Sequence, residues 1–145
     1  MSIIYRQADR KDVAQIFSIE TACFSQPWSL ESLQGDICEN DLAYYIVAEE
    51  NGVIVGYCGI HIISDEGHIM NVAVSPENRS RGIGRGLIET LMVQTGLDYY
   101  TLEVRASNET AIRLYNKMGF SVFGRRPKYY GDEDALIMWK GKTHL

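Results

Sequence analysis

The segment of this sequence that is best suited to chemistry is rich in glycine and arginine. It spans residues 79–86, reads RSRGIGRG, and precedes an apolar stretch with helical periodicity. The first N–H groups of a helix have no intrahelical acceptor, and the helix dipole adds partial positive charge there. Glycine lets a guest approach those groups closely. The segment therefore predicts a binding site for phosphate or pyrophosphate at a helix N-terminus.

The spacing of the glycines argues against two common phosphate motifs. A P-loop requires Gly-Lys followed by Ser or Thr, whereas Gly84 is followed by Arg85 and Gly86. A dinucleotide fingerprint places its first glycine directly after a strand, whereas Gly82 lies well beyond the predicted strand end at Val74. A merely flexible turn remains the alternative to a phosphate-binding loop of another kind.

Glu103 is the candidate acid–base residue. It lies in the middle of residues 99–105, YYTLEVR, a predicted strand in a sheet with both faces covered. A carboxylate on a strand whose two faces are both covered must have a structural or a chemical role. It either pairs with a cation, which is Arg105 on the same face or another arginine, or acts as a general base.

The helix predicted over residues 108–118 carries two further candidates. Its apolar face includes Ala111 and Met118 and also carries Tyr115. Tyr115 is therefore either a core aromatic or a phenol that donates a proton or hydrogen bond. Asn108 is a good N-cap, and it lies two turns from Tyr115 on the same side, where it can touch a cofactor.

Hydrophobic periodicity and turn signals predict the elements that position these residues. Asp9 and Ser29 are predicted to cap two helices, and Asn51-Gly52 predicts a hairpin. Gly119 is placed to end the helix after Met118 in a left-handed conformation. The predicted strands are 3–6, 43–49, 53–62, 68–74, 99–104, 120–123 and 135–140, with a further helix over 84–95. This order predicts an α/β fold with a twisted mixed sheet and helices on both faces, in one domain over residues 1–145.

Composition narrows the function classes. A formal charge of −5 argues against nonspecific nucleic-acid binding, which needs a basic face. The sequence shows no secretory signal and no apolar run long enough to cross a membrane, which predicts a cytoplasmic protein. Three cysteines, Cys23, Cys38 and Cys58, form no Cys-x-x-Cys pair; they are predicted to be packing residues outside the cofactor and acid–base segments. His61, His68 and His144 are too scattered to predict a metal site.

Residues 79–84 resemble the pyrophosphate loop of the Gcn5-related N-acetyltransferase superfamily, which reads Gln or Arg, two residues, Gly, one residue, Gly or Ala. The resemblance implies acetyl-CoA as cosubstrate. It also implies that the strand backbone at Val72, Ala73 and Val74 pairs with the pantetheine arm, and that the loop wraps the pyrophosphate. The loop residues so implied are Ser80, Arg81, Gly82, Ile83, Gly84 and Arg85. The family usually has a helix-forming residue at the position of Gly86. The glycine in this sequence is therefore predicted to cost about 1 kcal/mol of helix stability relative to Ala.

A narrower resemblance covers nearly the whole chain. Residues 102–108, LEVRASN, with PWS at 27–29 and EDALIM at 133–138, look like the bacterial ribosomal-protein-alanine N-acetyltransferases. This resemblance implies Glu103 as proton acceptor, Tyr115 as proton donor and Asn108 as a CoA contact. The implied partner is a ribosomal protein N-terminus, the N-terminal alanine of the eighteenth small-subunit protein. Trp28, Tyr129 and Tyr130 are candidates for gripping the peptide, with ordinary packing as their alternative.

Protonation favours an α-amine over a lysine as acceptor. With a reference pKa near 7.7 to 8.0, an α-amine is roughly a tenth to a fifth neutral at pH 7, against well below a thousandth for lysine. Feasibility alone does not identify the substrate. An acetyltransferase for lysine or a small amine, and a CoA-binding regulatory domain without catalysis, remain alternatives.

Overall fold

The order of strands and helices follows the hydrophobic patterns of the sequence. The computed structural model describes residues 2–141. In chain order the elements are β1 (Ile4–Gln7), α1 (Val13–Cys23), α2 (Leu30–Cys38), β2 (Ala43–Glu50), β3 (Val53–Ile63), β4 (Glu66–Val74), α3 (Ile83–Thr95), β5 (Tyr99–Arg105), α4 (Glu109–Lys117), β6 (Ser121–Arg126) and β7 (Ala135–Gly141). Parallel and antiparallel strand pairs are both present. The predicted mixed α/β class is therefore confirmed.

Two compact units make up the described part of the chain. The first contains the described residues up to His61 together with Asn71–Gly96. The second contains Ile62–Met70 and the described residues from Leu97 onward. The glycine-rich loop thus belongs to the first unit, and β5 with Glu103 belongs to the second.

Capping side chains set where α2 and α4 begin, since Ser29 and Asn108 each accept a hydrogen bond from a backbone N–H in the turn that follows. Asp9 was predicted to cap the first helix, but it caps a 3-10 turn at Arg10–Asp12, and α1 begins after that turn without a side-chain cap. Caps of this kind typically contribute about 1 kcal/mol each. At the other end of α4, Gly119 has a φ of 99°, the left-handed conformation predicted for it. None of the helices formed by residues 2–141 is long and apolar enough to cross a membrane.

In the first unit, strands β1, β2 and β3 pair antiparallel in that order. The turn between β2 and β3 has positive φ at both central residues, 53° at Asn51 and 81° at Gly52. Two positive φ angles are the requirement of a type I′ hairpin, and Asn-Gly meets it at little cost. The hairpin predicted from these two residues is confirmed.

In the second unit, the strand order is β4-β5-β7-β6, with β4 parallel to β5 and the other pairs antiparallel. Strand β6 was predicted to cover residues 120–123, and this prediction is wrong at both ends. Phe120 is a buried core residue before the strand. The strand continues to Arg126, because a register shift between Val122 and Gly124 lets Arg126 pair with Ala135.

Close packing, rather than flexibility, explains two glycines. A Cβ at Gly56 on β3 would lie 3.2 Å from a methyl of Leu87 and 3.3 Å from one of Ile83, so this glycine seats α3 near β3. A Cβ at Gly86 would overlap the ring and hydroxyl of Tyr5 on β1. Glycine at position 86 is therefore predicted to weaken the helix, but it is the residue that lets Tyr5 pack against α3.

The core of the first unit is apolar but encloses an ionisable group, Asp36, on α2. Its carboxylate accepts hydrogen bonds from the Tyr45 hydroxyl at 2.6 Å and from Asn40 at 2.8 Å, and it contacts the His61 ring at 2.8 Å. Burial opposes ionisation, but the donors Tyr45, Asn40 and His61 outweigh it and lower the pKa of Asp36. The apolar residues packed in this core are Ile16, Ile19, Leu33, Tyr45, Val47, Ile54, Tyr57 and Ala73.

We expect Asp36→Asn to lower the free energy of unfolding by about 1–3 kcal/mol at pH 7, the range for hydrogen bonds to a charged group. Because the folded-state pKa is lowered, this stability is present above the unfolded-state pKa near 3.9 and is lost as the pH falls through the folded-state value. Urea unfolding of both proteins between pH 7 and pH 3 measures the difference. A difference that stays constant with pH would contradict the assignment to the carboxylate charge.

Candidate active site

The glycine-rich loop presents backbone N–H groups at the start of α3. Ser80 and Gly82 have positive φ, 65° and 77°, and Gly82 is the residue that precedes the helix. The first intrahelical bond runs from the Gly86 N–H to the Gly82 carbonyl at 3.1 Å, so the N–H groups of residues 83–85 precede it. A Cβ at Gly82 would meet nothing within 4 Å among the described residues. The loop therefore has room for an anion against its backbone.

The arginine side chains near the loop are held by protein acceptors. Arg81 binds both carboxylate oxygens of Glu50, at 3.0 and 2.6 Å, and the side-chain oxygen of Asn78 at 2.7 Å. Arg85 binds Glu89 one turn along α3 at 3.1 Å. A phosphate at this loop would therefore be bound mainly by backbone N–H groups, because the guanidinium groups of Arg81 and Arg85 are already paired with carboxylates. Glu50, which anchors Arg81, was not singled out by the sequence.

Cys23 lies against the end of β4. Its thiol donates to the Val74 carbonyl at 3.4 Å, and Arg79 reaches both that carbonyl and the Cys23 sulfur at 3.3 Å. Cys23 thus lies outside the cofactor segments in the sequence but contacts the end of one of them in the structure. Cys58 is fully buried, and burial raises the pKa of its thiol. Cys58 is accordingly a packing residue.

Strand β4 extends beyond its pairing with β5. The parallel register runs from Glu66 opposite Tyr99 to Ile69 opposite Leu102. Val72, Ala73 and Val74, the residues predicted to line the pantetheine arm, follow that last pair. The end of β4 is fixed by Ser75, whose N–H and hydroxyl both donate to the Val55 carbonyl, at 2.9 and 3.2 Å.

Glu103 lies on β5 with its side chain about three-quarters buried. Arg126 Nε lies 2.5 Å from Glu103 Oε2 as an ion pair, but the angle does not make a hydrogen bond. Among the described residues, this buried oxygen has no hydrogen-bond donor. Arg105, the first candidate partner in the sequence, instead binds Asp132 at 3.0 Å. Of the two cation partners that the sequence allowed, Arg105 or another arginine, the structure has the second, Arg126.

Tyr129 and Tyr130 lie beside Glu103, a proximity that the sequence did not predict. Burial first, and then the negative charge of Glu103, raises the pKa of Tyr130 to about 12. The same two causes, and then a side-chain hydrogen bond to Glu103, raise the pKa of Tyr129. The two rings meet edge to face at 5.0 Å, with Arg105 4.4 Å above Tyr130. Both phenols therefore stay protonated at neutral pH, as donors close to a carboxylate.

Acidic residues between β6 and β7 fix the backbone on either side of the site. Glu133 accepts from the Ser107 N–H and hydroxyl, both at 3.0 Å, immediately before Asn108. Asp134 accepts from the Lys128 N–H at 2.9 Å and pairs with Arg125 at 2.6 Å. The Ser107 hydrogen bond is the main cause of a lowered pKa at Glu133. Both carboxylates lie in the motif at 133–138, but neither of them was given a role from the sequence.

Tyr115 and Asn108 are placed by α4 in the second unit. The Tyr115 ring is partly buried and packs against Phe120 with centroids 5.9 Å apart. The Asn108 side-chain oxygen accepts from the Ala111 N–H at 3.1 Å, which confirms its predicted role as N-cap. That bond occupies the oxygen and leaves the amide NH₂ as the group that can donate to a ligand.

Trp28 belongs to the first unit, between α1 and α2, whereas Tyr129 and Tyr130 belong to the second. Its side chain is partly buried and packs against the core of the first unit. Its backbone N–H donates to Glu20 Oε2 at 2.8 Å. The position of Trp28 is thus fixed both by the hydrogen bond of its backbone to Glu20 and by the packing of its side chain against the core.

Within residues 2–141, no three His, Cys, Asp or Glu side chains are grouped so that they could hold a metal ion, and His144 lies outside the described residues. The model of the acetyltransferase (GNAT) family matches residues 13–120. The chain belongs to the acetyltransferase (GNAT) family. It is an acetyl-CoA-dependent N-acetyltransferase.

Relatives of this acetyltransferase share most of its length. A Bacillus subtilis (strain 168) protein with the provisional name ribosomal protein bS18-alanine N-acetyltransferase is 40% identical over 134 residues, 89% of each chain. The ribosomal protein bS18-alanine N-acetyltransferase of Escherichia coli (strain K12) is 34% identical over 134 residues, 88% of this chain and 89% of that one. A crystal structure of the E. coli ribosomal-protein-S18-alanine N-acetyltransferase superposes with a TM-score of 0.90 at 28% identity, covering 99% of this chain and 96% of that chain.

We expect Glu50→Gln in this acetyltransferase to weaken CoA binding about two- to fivefold, since an ion pair at the surface contributes up to about 1 kcal/mol. The reason is that Arg81 loses the carboxylate that orders the loop. Isothermal titration of CoA measures the Kd. Glu89→Gln is the matched control, because it frees Arg85 from an exposed partner and should leave the Kd within about twofold. Tighter binding by Glu50→Gln would instead show that Arg81 exchanges Glu50 for a phosphate.

Proposed function

We propose that this enzyme transfers acetyl from acetyl-CoA to the α-amine of the N-terminal alanine of ribosomal protein bS18. The observation that carries the proposal is the extent of its likeness to the E. coli enzyme of that name, which covers 88% of the sequence and 99% of the structure. The likeness therefore includes the second unit with Glu103, and is not confined to the cofactor loop. The family model likewise spans segments of both units, which supports one catalytic domain.

In the proposed reaction Glu103 is the general base. The amine nitrogen attacks the thioester carbonyl, the N–C bond forms, and the C–S bond breaks. The amine proton passes to Glu103, directly or through a water. Support comes from the position of Glu103 on β5, where its side chain is about three-quarters buried and its Oε2 atom is ion-paired with Arg126 without a hydrogen bond among the described residues. Arg126, whose side chain is 59% exposed, pairs with the carboxylate without enclosing it.

Tyr115 is the proposed general acid, which protonates the departing CoA thiolate. With reference pKa values near 10 for the phenol and 8.5 for a thiol, full transfer is uphill by only about 2 kcal/mol. The packing of its ring against buried Phe120 supports this role, because it limits the motion of the hydroxyl. The phenol then recovers its proton from solvent. No covalent enzyme intermediate is needed in this direct transfer.

The cosubstrate is proposed to lie along the backbone of Val72, Ala73 and Val74, with its pyrophosphate on the N–H groups of the loop. The loop residues are Ser80, Arg81, Gly82, Ile83, Gly84 and Arg85. Arg81 contributes by ordering the loop through Glu50. The Asn108 amide donates to the CoA chain, since its oxygen already caps α4.

Trp28, Tyr129 and Tyr130 are proposed to hold the acceptor peptide. Tyr129 is half exposed, so its ring can contact an extended chain end. Tyr129 and Tyr130 also lie beside the proposed base, which supports their contact with residues close to the reacting amine. Partial burial of Trp28 leaves part of its ring accessible to a peptide.

Mass spectrometry of peptides incubated with enzyme and acetyl-CoA tests the substrate. An alanine-initiated bS18 peptide is compared with the same peptide blocked at its N-terminus and containing lysine. We expect one acetyl group on the free α-amine and none on the blocked peptide. Acetylation of both would point to a lysine acetyltransferase. Acetylation of neither, with CoA binding confirmed by titration, would point to a small amine or to a binding domain.

We expect Glu103→Gln and Tyr115→Phe each to lower kcat by roughly 100-fold or more, within the range for general acid–base catalysis, while the KM for acetyl-CoA changes less than about twofold. Steady-state kinetics at saturating substrates between pH 6 and pH 9 measures both. Glu109→Gln on exposed α4 is the control and should match the wild type. A residue whose variant keeps the wild-type kcat would have no place in the mechanism.

A further inference from the structure

A second buried carboxylate, Glu20 on α1, plays no part in the chemistry proposed above. Only 1% of its surface is exposed. Oε1 accepts from the Tyr57 hydroxyl in a very short hydrogen bond and from the Asn71 amide at 3.2 Å. Oε2 accepts from the Trp28 backbone N–H at 2.8 Å. Both oxygens are therefore occupied, and by three different segments of the chain.

All the donors recorded for Glu20 among the described residues are neutral. Burying a carboxylate without a cation is costly, and an apolar side chain of similar size usually packs at least as well. Packing alone therefore gives no reason for a glutamate here. A carboxylate differs from an apolar residue in that its two oxygens fix the positions of several donors at once.

The three donors lie where the proposed function needs fixed geometry. Trp28 lies in the 24–29 segment between α1 and α2 and is a proposed peptide contact. Asn71 directly precedes Val72, the first proposed pantetheine residue, on β4. Tyr57 is fully buried on β3 and supplies the rigid attachment. Its burial, followed by its hydrogen bond to Glu20, raises its pKa, so it remains a donor.

We infer that Glu20 is a positioning residue for the acceptor peptide. Its carboxylate holds the Trp28 backbone at a fixed distance from β3 and β4, and so sets where the Trp28 ring is presented. The inference rests on the proposed function, because it takes the acceptor to be a peptide that contacts Trp28. It concerns peptide binding, so acetyl-CoA binding is not expected to depend on it.

Glu20→Gln tests this inference, because an amide keeps only one accepting oxygen, so Trp28 and the pair Tyr57 and Asn71 can no longer each donate to a separate oxygen. The expected result is a rise of about tenfold or more in the KM for the bS18 peptide, with the KM for acetyl-CoA changed less than about twofold. Asp36→Asn is the matched control. It removes a buried carboxylate that holds a tyrosine in the same unit but has no bond to the 24–29 segment.

Tryptophan fluorescence reads the position of Trp28 independently of catalysis. In a Trp139→Phe background, Trp28 is the only tryptophan of the chain. Acrylamide quenching of Trp28 should increase about twofold in Glu20→Gln and remain unchanged in Asp36→Asn. If Glu20→Gln does not fold, Glu20→Asp replaces it, since the shorter carboxylate cannot reach all three donors and should show the same changes at smaller size.

The outcomes separate the two proposals. If the wild-type enzyme acetylates no peptide α-amine, the proposed function fails, and with it the peptide role, whether or not Glu20 holds Trp28. If it does acetylate the peptide, unchanged quenching in the Glu20 variants would overturn the inference. A rise in peptide KM no larger than that of Asp36→Asn at equal stability would overturn it as well.

Discussion

Hydrogen bonding on both edges of β5 is the constraint on which the second unit depends. Because β7 pairs with the whole of this strand and β4 pairs with it as far as Leu102, the side chains of β5 leave through the two faces of the sheet. Glu103 is opposite Ile137 on β7, and Ile137 is opposite Gly124 on β6, so the three share one face. Gly124 has no side chain to cover that face. Arg126, two residues further along β6, reaches the carboxylate across the space that remains.

The same constraint explains what the sequence could predict and what it could not. Caps and turns act locally, so Ser29, Asn108 and the Asn51-Gly52 hairpin were readable from neighbouring residues. The pair of Glu103 and Arg126 depends on β7, the last strand in the chain, lying between β5 and β6. No local pattern specifies that order. The stretch with Arg126 therefore looked like a loop, and Arg105 looked like the nearer partner.

Long-range polar contacts account for the other differences. From the sequence alone, Gly86 is a residue that weakens a helix. The structure shows that Tyr5, which is distant in the sequence, packs against it. Glu20 sits on the buried side of α1 next to Ile19, where an apolar residue would be expected from the periodicity. Such exceptions to a hydrophobic pattern are informative, because a protein tolerates a buried carboxylate only where several donors converge on it.

The distribution of charge explains how a protein with a net negative charge can use an anionic cosubstrate. The chain carries a formal charge of −5, yet its cosubstrate is an anion. A general positive field cannot attract that anion, and the arginines at the loop are occupied, Arg81 by Glu50 and Arg85 by Glu89. What remains are oriented N–H groups at the start of α3, whose partial charges act only within the first turn. In the proposed site, recognition of the pyrophosphate therefore depends on the shape of the loop backbone, and we expect the ion pair of Glu50 with Arg81 to act on affinity by maintaining that shape.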